Sequence, residues 1–169
     1  MFFVRRFITV AVLAVSLVAN GNTPDLQKCG EARLTVLFWD IYESSLFTPS
    51  GQYYPDIRPL RLEIRYLRAI KAKDLVAQTA KEWQAQGVED DRHVQWLSVL
   101  TELWPDVNKN DVLALVITDN GRAEFSFNGK FVGAIEDPDF GRDFAGIWLS
   151  PNTTRPQLRA ALIGDAGRG

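Results

Sequence analysis

Cysteine and histidine, the side chains that most often act as nucleophiles, bases and metal ligands, are nearly absent from this chain. Each occurs once, as Cys29 and His93. One cysteine cannot close an intramolecular disulfide, and one histidine without a nearby nucleophile motif cannot build a multi-histidine zinc site or a catalytic triad. We therefore expect no metal and no cofactor. Cys29 is expected to be a small buried thiol unless it pairs with another chain, and His93 a surface residue at the start of a helix.

Paired carboxylates are the next candidates for metal chemistry. Asp137 and Asp139 flank Pro138, but no glycine and downstream glutamate complete the spacing of a calcium loop. Aspartate before proline instead favours the start of a helix, because the carboxylate accepts from free N–H groups and proline suits the first helical position. We predict that Asp137 caps a helix.

Hydrophobic periodicity predicts the elements that must position the remaining polar side chains. The predicted strands are residues 34–42, 44–48, 60–67, 112–118, 123–127 and 131–136. The predicted helices are residues 71–86, residues 90–104, one that begins at 138 and one near 156–163. The order β-β-β-α-α-β-β-β-α-α predicts an α+β fold whose helices pack on one face of an antiparallel sheet.

Two of these elements indicate which side chains are buried. In the strand at 60–67, apolar residues alternate with charged ones, which predicts one covered face and one wet face. In the helix at 90–104, the 3.6-residue period predicts that four apolar residues face the core: Val94, Leu97, Leu100 and Trp104.

The N-terminus has the pattern of a secretory signal. Two arginines within the first six residues precede an apolar run, 7–18, that is too short to cross a bilayer. Small residues predict cleavage after Gly21, so residues 1–21 are expected to be a signal peptide and residues 22–169 one periplasmic or secreted domain without stable membrane insertion. Cleavage would shift the formal charge from −2 to −4. We expect no nucleic-acid partner, since no basic stripe is present.

Several short motifs follow one another along the chain. Residues 30–48 read GEARLTVLFWDIYESSLFT, and residues 59–70 read PLRLEIRYLRAI. Farther along, FNGK-x-VG is followed by F-x-GIWLSP and by P-x-LR-x-x-L-x-G, which ends at Gly164. In this order they resemble the chalcone isomerase-like family, specifically its bacterial exported branch. The resemblance implies an open-faced sandwich, in which helices cover one face of a large antiparallel sheet and a ligand cleft lies between the layers.

The resemblance also implies a first site residue. Arg33 matches the arginine near the start of the family's domain, because its spacing to Tyr42 agrees. A guanidinium at the inner end of a cleft can hold a carboxylate with two charge-assisted hydrogen bonds while an apolar wall takes the tail. The alternative is a structural pair between Arg33 and Glu31 or Asp40.

Three further residues complete the predicted ligand site. Tyr42 and Tyr66 could donate hydroxyls to the same carboxylate, and Arg68, where the strand ends, is the second cation. Each has a structural alternative: the tyrosines as core residues with a hydroxyl at the rim, and Arg68 as part of a solvated strand face.

The family's plant enzymes close the ring of a chalcone, whereas other members are thought to bind fatty acids without catalysis. The plant pattern has a threonine where this chain has Leu37, a tyrosine in the helical region after Tyr66 where none occurs, and a late threonine near Ile147. The hydrogen bonds that would polarise a substrate ketone are therefore expected to be missing.

The favoured function is a non-catalytic periplasmic protein that binds a small apolar anionic ligand such as a fatty acid. An intramolecular lyase or isomerase acting on an unsaturated ketone is one alternative. The other is an envelope protein-interaction module whose cleft is filled by its own side chains. The sequence identifies no protein partner and no particular ligand.

The signal pattern can be tested on the protein that a cell exports. We expect N-terminal sequencing to begin at Asn22, because the peptidase requires small residues at positions 19 and 21. An intact Met1 on a membrane-bound form would contradict this.

Overall fold

Six strands form one antiparallel sheet in the computed structural model of this chain, which describes residues 25–88 and 90–165. The strands are β1 (Gln27–Val36), β2 (Trp39–Thr48), β3 (Leu60–Tyr66), β4 (Val112–Ile117), β5 (Ala123–Phe127) and β6 (Lys130–Ile135). They are neighbours in the sheet in their order along the chain, with β1 at one edge and β6 at the other. The predicted signal peptide, residues 1–21, lies outside the described residues.

Helices pack on one face of this sheet. Within the described residues they are α1 (Ala72–Ala85), α2 (His93–Leu103), α3 (Pro138–Leu149) and α4 (Pro156–Leu162). Helix α4 packs against β1 and β2, α3 against β5 and β6, and α1 against α2 and α3. The predicted element order and the α+β class are confirmed. In the part of the chain that the structure describes, no helix is both long and apolar enough to span a bilayer.

Strand β3 shows how the sequence sets the two faces. Leu62 and Ile64 are buried beneath the helices, whereas Arg61 and Glu63 lie on the opposite face and form an ion pair. An antiparallel sheet can leave one face in water when its strands alternate apolar and polar residues. The sheet is therefore covered on one side and open on the other.

Helix α3 begins as the sequence predicts. The Asp137 carboxylate accepts a hydrogen bond from the Asp139 N–H at 3.0 Å, and Pro138 occupies the first turn. The helix buries Phe140 and Phe144, whose rings stack with centroids 5.4 Å apart. Full burial of a side chain of this size contributes roughly 1.5–3 kcal/mol, so these two contacts hold α3 firmly on the sheet.

The turn between β1 and β2 differs from the prediction. The apolar pattern predicts one strand over 34–42, but the chain reverses at Leu37 and Phe38, so that Val36 pairs with Trp39. Leu37 has a φ of 57°, a region that glycine or asparagine usually occupies in such turns. Because the turn carries neither residue, the hydrophobic pattern gives no sign of it.

The buried face of α2 also differs. Val94, predicted to face the core, is 78% exposed, and Trp96 is buried in its place. An indole buries more apolar area than valine, which favours this rotation of the helix. His93, predicted at the surface, instead stacks on Trp83 with ring centroids 4.1 Å apart, and its Nε2 lies 3.3 Å from Asp143.

Strand β1 meets the end of α4 at Gly30. A Cβ at this position would lie 2.1 Å from the carbonyl oxygen of Ala161, which is a backbone atom that cannot turn away. The neighbouring Cys29 is half-buried, with its Sγ 3.2 Å from Oγ1 of Thr48. The absence of a side chain at Gly30 therefore lets α4 close one end of the covered face.

Replacing this glycine tests the contact. We expect Gly30→Ala to lower the free energy of unfolding by about 3 kcal/mol, because the added methyl group forces the strand and helix apart. Urea denaturation measures the change.

Gly146→Ala is the matched control. This position is helical, and a Cβ would meet only Ser150 at 3.8 Å, so we expect a gain of about 0.5–1 kcal/mol. Equal stability of Gly30→Ala and the parent protein would contradict the close approach.

Candidate ligand-binding cavity

A cavity of about 440 Å³ lies between the sheet and the helices. Residues of β1 to β5 form one wall, and α1, α3 and α4 contribute to the other. Most of the lining is aliphatic or aromatic: Leu34, Val36, Ile41, Leu62, Ile64, Leu75, Leu113, Leu115, Phe125, Phe144, Ile147 and Leu158. Small-molecule sites span roughly 300–1,000 Å³ and have walls of this kind. The cavity can therefore hold a small apolar molecule.

The register of the first three strands brings two tyrosines to this cavity. Leu34 pairs with Tyr42, and Tyr42 pairs with Tyr66, so the three side chains share the covered face and line the cavity. The tyrosine rings meet edge to face, with centroids 6.4 Å apart. The structure thus places both predicted tyrosines at the cavity, and their binding of a ligand stays a prediction.

A hydrogen bond between the layers orients one of these hydroxyls. Trp148 Nε1 donates to Tyr42 Oη at 2.9 Å. Because the phenol oxygen accepts this bond, its own hydrogen remains available to donate, and no described residue accepts it. The Tyr66 hydroxyl also has no hydrogen-bond partner among residues 25–88 and 90–165. Two hydroxyl donors thus line the cavity without an acceptor from the residues that the structure describes.

Charged side chains lie at the exposed edge of the cavity. Glu82 is held in place, since Gln78 Nε2 donates to one of its oxygens at 2.9 Å and Thr154 Oγ1 donates to the other at 2.7 Å. Arg155 also lines the cavity, and no carboxylate of the described residues forms an ion pair with its guanidinium. Asp74 is a second acid in the lining and is exposed, whereas Glu82 is half-buried. Arg155 is thus a cation beside an apolar cavity with no protein partner for its charge in the described chain.

Burial has the largest effect on the pKa of both cavity tyrosines. Burial raises the pKa of Tyr42 to about 12, while the Trp148 hydrogen bond and then the Arg155 charge oppose the rise. Glu82 adds to the rise, with the smallest of the four effects. Burial raises the pKa of Tyr66 as well. Both phenols are therefore neutral hydrogen-bond donors at physiological pH.

Trp104 and Trp148, which helix periodicity explains as core residues, both line the cavity. The indole N–H of Trp104 is buried and has no hydrogen-bond partner among the described residues. A buried donor without an acceptor costs about 1–3 kcal/mol. The wall of the cavity therefore includes an N–H group that the described protein atoms leave unsatisfied.

The sequence predicted Arg33 at the inner end of the cleft, but Arg33 does not line the cavity. It precedes Leu34 and therefore lies on the open face of the sheet. Its guanidinium pairs there with Asp40 at 3.0 Å and Glu43 at 2.5 Å, and Arg65 pairs with the same Glu43. The ion pair with Asp40 is the structural alternative considered from the sequence. This row borders a charged depression of about 530 Å³ on the open face, separate from the apolar cavity.

Arg68 is also absent from the cavity lining, and its expected place is corrected too. It follows β3 in an exposed segment, where its guanidinium lies 5.1 Å from the centroid of the Trp39 ring. This is a cation–π contact at the surface. The arginine that lines the cavity is Arg155.

Sequence reasoning missed Arg155 for an identifiable reason. It lies directly before Pro156, at the N-cap of α4, and its side chain makes no capping hydrogen bond. Serine, threonine, aspartate and asparagine are preferred at this position, and the helix dipole disfavours a cation there. Arginine at an N-cap position, where a hydrogen-bond acceptor is preferred, was the one signal in the sequence that Arg155 does something other than cap the helix.

Comparisons with known proteins give a consistent result. A family model described as chalcone isomerase-like matches residues 11–164. A protein of Haemophilus influenzae, described only as uncharacterized, is 30% identical over 138 residues, which are 82% of this chain and 68% of the relative.

One solved structure supports the same fold. It is a fatty-acid binding protein of Arabidopsis thaliana, which matches with a TM-score of 0.63 over 83% of this chain and 88% of the plant chain. The identity is 10%, so this likeness concerns the fold alone.

The raised tyrosine pKa predicts how stability depends on pH. Above pH 10 an unfolded chain releases the phenol proton of Tyr42 while the folded protein retains it up to about pH 12, so stability falls across this window. We expect this residue to contribute a loss of about 1.4 kcal/mol per pH unit there. Urea denaturation at pH 9 and pH 11 measures it.

Tyr42→Phe should remove that part of the pH dependence, whereas Tyr54→Phe, at an exposed tyrosine, should retain it. The same slope in the parent protein and in Tyr42→Phe would show that the folded phenol titrates like an unfolded one.

Proposed function

This chain belongs to the chalcone isomerase-like family, and from its cavity we propose that it binds a small amphiphile with a carboxylate head and an apolar tail, such as a fatty acid. Binding occurs without a chemical reaction on the ligand. The observation that carries the proposal is the hydrogen bond from Trp148 to Tyr42, which leaves a buried hydroxyl donor at the wall of an apolar cavity.

The apolar wall accounts for the tail. Each buried methylene contributes about 0.8 kcal/mol, which is roughly a fourfold gain in affinity. Affinity should therefore rise with chain length until the cavity of about 440 Å³ is filled. Most of the side chains that meet the tail are aliphatic or aromatic and carry no hydrogen-bonding group.

The headgroup is recognised by Tyr42 and Arg155. The phenol accepts from Trp148 and donates to a carboxylate oxygen, and a hydrogen bond in such a chain strengthens its neighbour. Arg155 supplies the opposite charge, and a guanidinium can hold both oxygens of a carboxylate. Both oxygens of Glu82 already accept hydrogen bonds, from Gln78 and Thr154.

Two further observations support binding rather than catalysis. The Arabidopsis thaliana protein with a similar fold is described as binding fatty acids. In addition, the resemblance implies threonines of the plant enzymes at Leu37 and near Ile147, where this chain has an exposed turn residue and an aliphatic group of the cavity wall. Neither residue can polarise a ketone.

The protein acts outside the cytoplasm in this proposal. The support is the sequence of residues 1–21, with two arginines followed by a short apolar run and small residues at a cleavage position. A carrier in that compartment would keep an amphiphile in solution between membranes.

The headgroup contacts can be tested by calorimetry with dodecanoic acid and its methyl ester. We expect Arg155→Ala to weaken binding of the acid by about ten- to a hundredfold, because a charge-assisted hydrogen bond contributes about 1.5–3 kcal/mol. Tyr42→Phe should also weaken it, whereas binding of the ester should change little in Arg155→Ala.

Arg33→Ala is the matched control, since it removes an arginine from the open face and should leave affinity for the acid unchanged. An Arg33→Ala effect as large as that of Arg155→Ala would return the site to the residue first predicted. If the parent protein binds neither acid nor ester, or accelerates ring closure of a chalcone, the proposed function is wrong.

A further inference from the structure

The turn between β1 and β2 exposes large apolar side chains. We call residues Val36, Leu37, Phe38 and Trp39 the hairpin tip. Leu37 is 86% exposed, Phe38 96% and Trp39 63%. Single exposed apolar residues are common on proteins, but contiguous ones mark a surface that contacts something else. The hairpin tip is such a surface.

The sequence of the tip goes against two local preferences at once. A two-residue hairpin turn favours glycine or asparagine where the backbone has positive φ, yet Leu37 occupies that position with a φ of 57°. The next residue, Phe38, then projects almost entirely into water. Residues that break local rules without a gain in packing commonly serve a function. We therefore expect the tip to contact something other than water when the protein works.

The chemistry of the tip matches a lipid surface. Its two most exposed residues are an aliphatic and an aromatic side chain at a convex turn, and Trp39 behind them is the residue type favoured at the level of lipid headgroups. Arg68 lies over the Trp39 ring, and no carboxylate of the described residues pairs with it. Its charge can therefore meet a lipid phosphate. The nearby Asp40 is already neutralised by Arg33.

The tip continues into the cavity. Val36, at the end of β1, and Ile41, near the start of β2, both line the cavity wall. The acyl tail of a molecule that leaves a bilayer at the tip would thus contact apolar side chains on its way into the cavity. A protein partner would explain an exposed patch, but this continuity with a lipid-sized cavity favours a membrane.

We propose that the hairpin tip inserts into the surface of a lipid bilayer and brings the part of the cavity lined by Val36 and Ile41 to the membrane. Leu37 and Phe38 enter the acyl boundary, Trp39 lies at the headgroups, and Arg68 contacts phosphate. The choice of a membrane as the occupant rests in part on the apolar cavity behind the tip, and ligand transfer at the docked tip rests on the proposed function.

Vesicles of phosphatidylcholine and phosphatidylglycerol provide the test. The protein is purified as the cell produces it, and all variants must share one N-terminus. We expect the Leu37→Ser, Phe38→Ser double variant to co-sediment with vesicles about ten- to a hundredfold more weakly than the parent protein, because two large side chains lose their burial in lipid. Phe131→Ser, which changes a 62% exposed phenylalanine on β6, is the matched control and should bind as the parent does.

Fluorescence gives a second readout of the same event. Brominated lipids should quench Trp39 in the parent protein, because Trp83, Trp96 and Trp104 are buried and the half-buried Trp148 is bonded to Tyr42 between the layers, and the quenching should be lost in Trp39→Phe. Equal vesicle binding by the double variant and the parent, or no binding by the parent, would overturn the docking inference.

Calorimetry with dodecanoic acid in the absence of vesicles separates this inference from the proposed function. The double variant should bind the acid like the parent, since Leu37 and Phe38 do not line the cavity. If the protein binds vesicles but not the acid, docking is supported and the proposed function is wrong. If it binds the acid but not vesicles, the proposed function is supported and docking is wrong.

Discussion

Neighbouring residues of a strand point to opposite faces of a sheet, and the register of β1, β2 and β3 extends this rule across three strands. One row, Leu34, Tyr42 and Tyr66, lies under the helices. The adjacent row, which includes Arg33, lies on the open face and is held by ion pairs. A shift of the register by one residue would exchange the rows, placing charge in the core and tyrosines in water. The chemistry available to the cavity therefore depends on this pairing more than on any single side chain.

The polar end of the cavity depends on contacts between layers. Trp148 belongs to α3 and Tyr42 to β2, so their hydrogen bond forms only when the helix is seated on the sheet. Packing of Phe140 and Phe144 holds that helix, and the close approach at Gly30 holds α4 beside the segment that carries Arg155. The Tyr42 hydroxyl is thus oriented before any ligand arrives, which lowers the entropy lost on binding.

Much of the architecture could be predicted from the sequence, and the failures have specific causes. The alternation in β3, the change of period at the helices and the Asp137-Pro138 start of α3 each depend on local rules, and all appear in the structure. The turn at Leu37 was missed because its residues oppose the rule for turns. Arg33 was placed in the cleft because spacing along the chain does not specify the face of a strand. Arg155 was missed because its proximity to Tyr42 depends on how α3 and α4 pack, which no local pattern encodes.

The cavity has a consequence for the lifetime of the protein. Protein interiors are normally close-packed, so about 440 Å³ of space between sheet and helices is core volume that residues 25–88 and 90–165 do not fill. A molecule that occupies it becomes part of the hydrophobic core and stabilises only the folded state. At a ligand concentration of about a hundred times Kd, this linkage adds about 2.7 kcal/mol to the free energy of unfolding. The rate at which proteases remove the protein would then depend on how much amphiphile surrounds it, so its abundance would follow the supply of its own ligand.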